Sequence, residues 1–407
     1  MHQKMYLKAL VLYLLAWITG AYQPLNFSEM KPNSGRSTIF LPITGNVHPL
    51  GYYTVTISIG NPPAQFVLDV DTGSDLTWVP CKGSPTPSYD PKSGNIVFCN
   101  DPECLALGTL GRDVATVGQC TLPEEPCIYE AHYADGGSSK GVLVKNSFPF
   151  KFRNGKAIAP QLAFGCGNHK NDEHSIHQSL DHKGILGLGK GALGIIKQLS
   201  NMGAIRNVVG HCLSSYGRGG FLFLGDDFLP NSGIVWKQLL SPAEHYSLGS
   251  ADLLFDGKAT NTKDLKIIFD SGSTYTYLRS KAYGTLLGLI NNILIGSPLK
   301  VVTQDNTLPL CWGVGKPFKF IGEVARYFKP LALSFTGVEN VQFHIRPEYY
   351  LIISGHGNVC LGMLNGTEMG LQDMNVIGDI SMQDKLVIYD NENGKIGWAA
   401  VSSCNRG

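Results

Sequence analysis

The sequence predicts a mostly-β protein of two duplicated, barrel-like lobes, and three observations carry that expectation. Phe66-Val67-Leu68-Asp69-Val70-Asp71-Thr72-Gly73-Ser74 is answered far along the chain by Ile267-Ile268-Phe269-Asp270-Ser271-Gly272-Ser273. Each is followed by an apolar-apolar-Gly segment: Ile185 stands 114 positions after Asp71, and Val376 stands 106 after Asp270. The 48 Gly and 22 Pro, set among recurring β-branched and aromatic runs, favour turn-rich strands over helices. An ordered set of elements met twice in one chain is the signature of internal duplication.

The chemistry follows from the same stretches. Each apolar run reads as a buried strand that ends on a carboxylate, a hydroxyl residue, a glycine that permits a tight turn, and a second hydroxyl. A carboxylate at the end of an apolar strand costs several kcal/mol to desolvate unless something satisfies it. Two such sites in one chain point to one shared place. Asp69 competes with Asp71, because period-two alternation puts both on the same strand face. Only Asp71 precedes Thr-Gly-Ser, so Asp69 is read as a structural, hydrogen-bonded carboxylate. With 33 Lys+Arg against 32 Asp+Glu, nothing points to nucleic acid or to an acidic partner.

Together these elements resemble a pepsin-like aspartic protease over roughly residues 50–404, and more narrowly its plant nucellin-like branch. Asp71-Thr72-Gly73-Ser74 with Trp78-Val79 beyond it, Asp270-Ser271-Gly272-Ser273-Thr274, and the two apolar-apolar-Gly segments occur in the family's order. A lone Asp-Thr-Gly would be weak. Four ordered elements are specific. The resemblance implies a bilobal pepsin-like fold, with an N-terminal lobe over 49–235 and a C-terminal lobe over 236–407. It also implies an endopeptidase that uses Asp71 and Asp270 to activate water, best at acidic pH, without cofactor or metal. Thr72 and Ser271 would hydrogen-bond across the lobes; Ser74 and Ser273 would hold the outer carboxylate oxygens; Gly73 and Gly272 complete the two turns. The substrate would be an extended polypeptide paired through its backbone in a central cleft, and the protein would be a monomer.

In chain order, Met1–Ala21 reads as a secretory signal: Lys4 and Lys8, an apolar run from Ala9 to Ile18, then small residues. The run falls short of the ~20 residues that span a bilayer, so no membrane association is expected after cleavage. Residues 22–48 read as linker or propeptide. Localisation in the secretory pathway follows, ending outside the cell, in the apoplast, or in the vacuole. The ten cysteines therefore read as disulfides. The resemblance pairs Cys311 with Cys360. Five cysteines lie between Cys81 and Cys127, so at least one of them needs a partner outside that cluster.

Residues 127–143 have the shape of a β-hairpin, an aromatic strand entering a Gly/Ser turn and leaving as Val-Leu-Val. In the resemblance this is the flap, and Tyr133 is the tyrosine whose hydroxyl reaches the indole of Trp78. Ala134 stands where the wider family has glycine. The histidines of 169–182 lack the spacing of a zinc site and read as a solvated loop. Apolar residues at helical spacing between Lys281 and Leu299 predict an amphipathic helix. Asn26 and Asn365 begin glycosylation sequons. Two other readings remain open. One is a catalytically inactive binding or inhibitor protein on the same fold, which the four intact Asp and Gly positions disfavour. The other is a serine or cysteine hydrolase, for which Gly249-Ser250-Ala251 lacks the G-x-S-x-G context and the even number of cysteines reads as bridged.

Overall fold

The computed structural model describes residues 37–404 except 84–87, 108–113, 116–119, 135, 171–182, 218, 228, 231, 244, 338–340 and 372. The expected signal segment, Asn26 and most of the histidine-bearing loop therefore lie outside the described residues.

The two halves of the chain build the same local topology. Strand Ala64–Asp71 runs parallel to Gly184–Gly187, with Asp71 opposite Gly187. Trp78–Pro80 meets the other side of that short strand, with Trp78 opposite Ile185. In the second half Leu265–Phe269 runs parallel to Met374–Ile377, and Thr276–Leu278 meets its far side through Tyr277 and Val376. Parallel strands covered on both faces need near-continuous apolar sequence, which is why these runs show no clean polar alternation. The apolar-apolar-Gly segments are thus the strands wedged beside each carboxylate-bearing strand.

Around these wedges each half adds antiparallel strands. Tyr52–Ile59 pairs with Ala64–Asp71 around the Asn61-Pro62-Pro63 turn, and Ser247–Phe255 pairs with Leu265–Phe269. Helix Ser280–Leu294 buries Ala282, Leu286, Ile290 and Leu294, one residue per turn on a single stripe. It ends at Leu294, five residues before the predicted Leu299 and two before Gly296, whose φ of +79° a side chain would oppose.

Part of the segment over 22–48, read from the sequence as linker or propeptide, is regular structure. Ile39–Asn46 is a strand, paired with Gly220–Leu224 on one side and with 52–54 on the other. Ile39 and Ile43 are fully buried in the main core, a commitment that Pro42 and the surrounding polar residues disguise in the sequence. The halves meet along a continuous sheet. Lys385–Asp390 pairs with Val208–Leu213, and Lys395–Ala400 pairs with Val235–Gln238. A division drawn at 235/236 therefore cuts a strand, and the C-terminal strands pack into the sheet begun by the first half.

All ten cysteines are bonded: Cys81–Cys166, Cys99–Cys120, Cys104–Cys127, Cys212–Cys404 and Cys311–Cys360. Cys166 is the outside partner that the odd cluster required. The sulfurs of Cys99, Cys104 and Cys120 lie close together, but each is spent in a disulfide.

Candidate active site

Each carboxylate is held by the turn that follows it. The backbone N–H of Gly73 donates to Asp71 Oδ1 at 2.7 Å and that of Ser74 at 3.2 Å, while Ser74 Oγ donates to Oδ2. The second turn repeats this: Gly272 N–H donates to Asp270 Oδ1 at 2.8 Å and Ser273 Oγ to Oδ2 at 2.7 Å. Spacings of two and three residues are short enough for a single tight turn to satisfy its own carboxylate.

The turns then interlock. Thr72 N–H donates to Ser271 Oγ at 3.1 Å, and Ser271 N–H donates to Thr72 Oγ1 at 2.9 Å. Ser271 Oγ donates in turn to the carbonyl of Val70 at 2.7 Å. The glycines bring the carboxylates together. A Cβ built on Gly73 would lie 2.6 Å from Asp270 Cγ, and one on Gly272 would lie 2.7 Å from Asp71 Cγ. Each turn thus presses its bare Cα against the other's carboxylate, and no larger residue fits at either place. Asp71, Thr72 and Ser271 are buried, Asp270 is half-buried and Gly272 is exposed, so the pair is open to solvent on the Gly272 side. Burial, and then the charge of Asp270, push the Asp71 carboxyl well above its ordinary range.

Ile128–His132 and Ser138–Ser147 form an antiparallel hairpin, with His132 opposite Ser138. Tyr133 sits at its turn, half-buried, and Trp78 Nε1–H donates to the Tyr133 hydroxyl at 2.6 Å. Half-buried His245 places Nδ1 3.1 Å from the Gly73 carbonyl. Asn365 is half-buried and its Oδ1 accepts from Ser280 Oγ at 2.9 Å.

Below the pair lie further titratable groups. Asp379 is 1% exposed, its Oδ1 has no hydrogen-bond partner, and burial followed by the charges of Asp69, Asp270 and Asp71 raises its carboxyl far above the usual range. Asp69 is hydrogen-bonded to the backbone of Val70 and Tyr53, as expected of a structural carboxylate, but its Oδ1 is enclosed with no partner among the described residues. Burial lifts its pKa to about 7, against the opposing charge of Lys183. The folded chain therefore holds this proton more tightly than the unfolded chain, where Asp titrates near 3.8. The stability this contributes is whole below that value and is lost as pH rises through about 7. The melting temperature is expected to drop between about pH 4 and about pH 7, and to drop less in Asp69→Asn. Parallel pH slopes for the two proteins would refute this. His211 acts in the opposite sense: burial lowers its pKa from 6.5 to about 3, so it removes stability as pH falls through that interval.

Sequence reasoning singled out both carboxylates, their turns and the Trp78–Tyr133 contact, but not His245, His211 and Tyr389. Only His211 left a trace, as a lone imidazole inside the buried run Val208–Leu213.

Residues 53–226 match the family described as xylanase inhibitor N-terminal, and residues 245–400 match xylanase inhibitor C-terminal. An aspartic proteinase of Oryza sativa subsp. indica is 37% identical over 388 residues, covering 91% of this chain and 92% of that protein. The chain belongs to the plant aspartic proteinase family. Aspartic proteinase 36 of Arabidopsis thaliana is 28% identical, covering 89% of this chain and 77% of its own length. Among solved structures, basic 7S globulin from soybean superposes with a TM-score of 0.69 at 17% identity, covering 91% of this chain and 96% of that one. The aspartic proteinase from Irpex lacteus gives a TM-score of 0.60 at 15% identity, covering 90% and 98%. At those identities the likeness speaks for the pepsin-like fold, which this member of the family shares.

Proposed function

We propose that the chain is an aspartic endopeptidase in which Asp71 and Asp270 jointly activate a water molecule. The observation that carries this reading is the reciprocal locking of the two turns, Thr72 to Ser271 and Ser271 to Thr72, which confronts one carboxylate with the other. Two carboxylates held so close cannot both ionise readily and share one proton, a behaviour for which aspartic proteases are the standard example. The pair titrates as a unit. The ionised member takes a proton from the water as its oxygen attacks the scissile carbonyl carbon, and the protonated member donates to the carbonyl oxygen. The tetrahedral adduct collapses as the C–N bond breaks and the amine leaves with a proton, with no covalent enzyme intermediate.

The solvent-open side of the pair would take an extended polypeptide along a groove closed over by the hairpin that carries Tyr133. Loss of the Tyr133 hydroxyl leaves the buried Trp78 N–H without its acceptor, worth about 1–3 kcal/mol. Tyr133→Phe is expected to lower kcat/KM about tenfold with the melting temperature little changed. Full activity in Tyr133→Phe would remove the flap role. The five disulfides fit an oxidising compartment on the secretory route, with Asn365 as a glycan acceptor there.

The test is cleavage of a peptide library at acidic pH, with and without pepstatin. Pepstatin-sensitive cutting supports the proposal and also reports subsite preference. Saturable binding of pepstatin or of unfolded protein with no turnover would overturn it in favour of an inactive binding protein, the reading suggested by the globulin-like neighbours.

A further inference from the structure

We propose that Tyr389 and His211 are positioning residues for the carboxylate pair, holding the Thr72 hydroxyl in the one orientation that locks the two turns together. The proposal rests on the protease reading above and adds residues that reading does not contain. Thr72 Oγ1 accepts from Ser271 N–H, so its own proton must point elsewhere; it points at the Tyr389 hydroxyl, 3.4 Å away. Free rotation of that hydroxyl would otherwise turn a lone pair away from Ser271 and loosen the lock.

The tyrosine oxygen is itself fixed. Tyr389 and His211 are both fully buried, on neighbouring strands of the sheet that joins the halves, with Tyr389 opposite Val209. His211 Nε2 lies 3.2 Å from the Tyr389 hydroxyl, and the phenol proton is directed at Met382 Sδ at 3.7 Å. His211 Nδ1 has no hydrogen-bond partner among the described residues. A buried lone pair without a partner costs less than a buried N–H without one, so the neutral tautomer carries its proton on Nε2 and donates to Tyr389. The phenol then accepts from Thr72 and His211 and donates to sulfur. A phenylalanine would fill the same space but do none of this.

The ring is also anchored. It packs on Tyr246 with centroids 4.4 Å apart, and the Tyr246 hydroxyl donates to the Leu188 carbonyl at 3.0 Å. Leu188 N–H in turn donates to the carbonyl of Asp71 at 2.7 Å. Tyr389 comes from the second half of the chain and His211 from the first, so the sheet joining the halves reports directly to the turn that holds Asp71. Small displacements of paired catalytic groups are costly in rate, which gives such a device its use.

The experiment compares Tyr389→Phe, His211→Leu, His211→Gln and the double variant Tyr389→Phe/His211→Leu. It reads kcat and KM on a peptide that the unaltered protein cleaves, active sites titrated with pepstatin, and the melting temperature. Tyr389→Phe and His211→Leu are each expected to lower kcat per titrated site roughly tenfold with KM within about twofold. The double variant should be no worse than Tyr389→Phe, and His211→Gln, which keeps a donor, should recover to within about threefold. Unchanged kcat per site with a lowered melting temperature would reduce both residues to packing and overturn the proposal, as would additive losses in the double variant. An unaltered protein that cuts nothing would instead sink the protease reading. Positioning would then be read from pepstatin affinity, weakened about tenfold in Tyr389→Phe if the proposal holds and unchanged if it does not.

Discussion

Asp71→Asn is expected to lower kcat/KM for peptide cleavage by at least about a thousandfold, because it removes a group that handles protons in both steps of the reaction. An amide can neither take a proton from water nor share one with Asp270. Asp270→Asn should lose as much, and the double variant no more, since the pair acts as one unit. The variant should remain folded. The Gly73 and Ser74 N–H groups donate to Asp71 Oδ1, which the amide oxygen of Asn can replace, and the carboxyl it replaces is one that burial already disfavours in its charged form. Melting temperatures near that of the unaltered protein at about pH 4, with turnover abolished, are the expected result. Turnover surviving in Asp71→Asn would place the chemistry elsewhere in the chain.

Removing the Cys212–Cys404 bridge, as Cys212→Ala with Cys404→Ala, is expected to cost about 3–5 kcal/mol of stability. The bond closes a loop of 192 residues, the longest of the five. In the chain-entropy view a longer loop constrains the unfolded state more. It also fastens the end of the chain to strand Val208–Leu213, in the sheet that unites the halves, where both sulfurs are buried. Unfolding in urea should show a lower midpoint, and the unfolding rate should rise if the transition proves irreversible. Cleavage by the folded fraction should persist, because neither cysteine touches the groove. An unchanged midpoint and unfolding rate would show that the sheet alone holds the halves together.

Much of the site was legible because its first layer is local. The bonds from Gly73, Ser74, Gly272 and Ser273 to their own carboxylates span two or three residues, so residue order nearly dictates them. The helix Ser280–Leu294 was legible for the same reason, its buried stripe written as a period. The strand Ile39–Asn46 was not, because its partners lie at 52–54 and 220–224 and its own pattern is interrupted by Pro42. The hairpin bearing Tyr133 could be read from its turn, whereas His245, which reaches Gly73 from 172 residues away, had no local mark.

By itself the sequence determined two acid-bearing turns, the duplication that relates them, and a chain rich in strands, since each depends on spacing between near neighbours. Only the tertiary structure decided that Thr72 and Ser271, 199 residues apart, exchange hydrogen bonds, that Tyr389 lies beneath Thr72, and which cysteines meet. It also decided that Asp69 and Asp379 are enclosed with an oxygen left unpaired. Such outcomes depend on which distant surfaces exclude water from a given group. That is a property of packing, and the same residue types in the same order could have been left solvated.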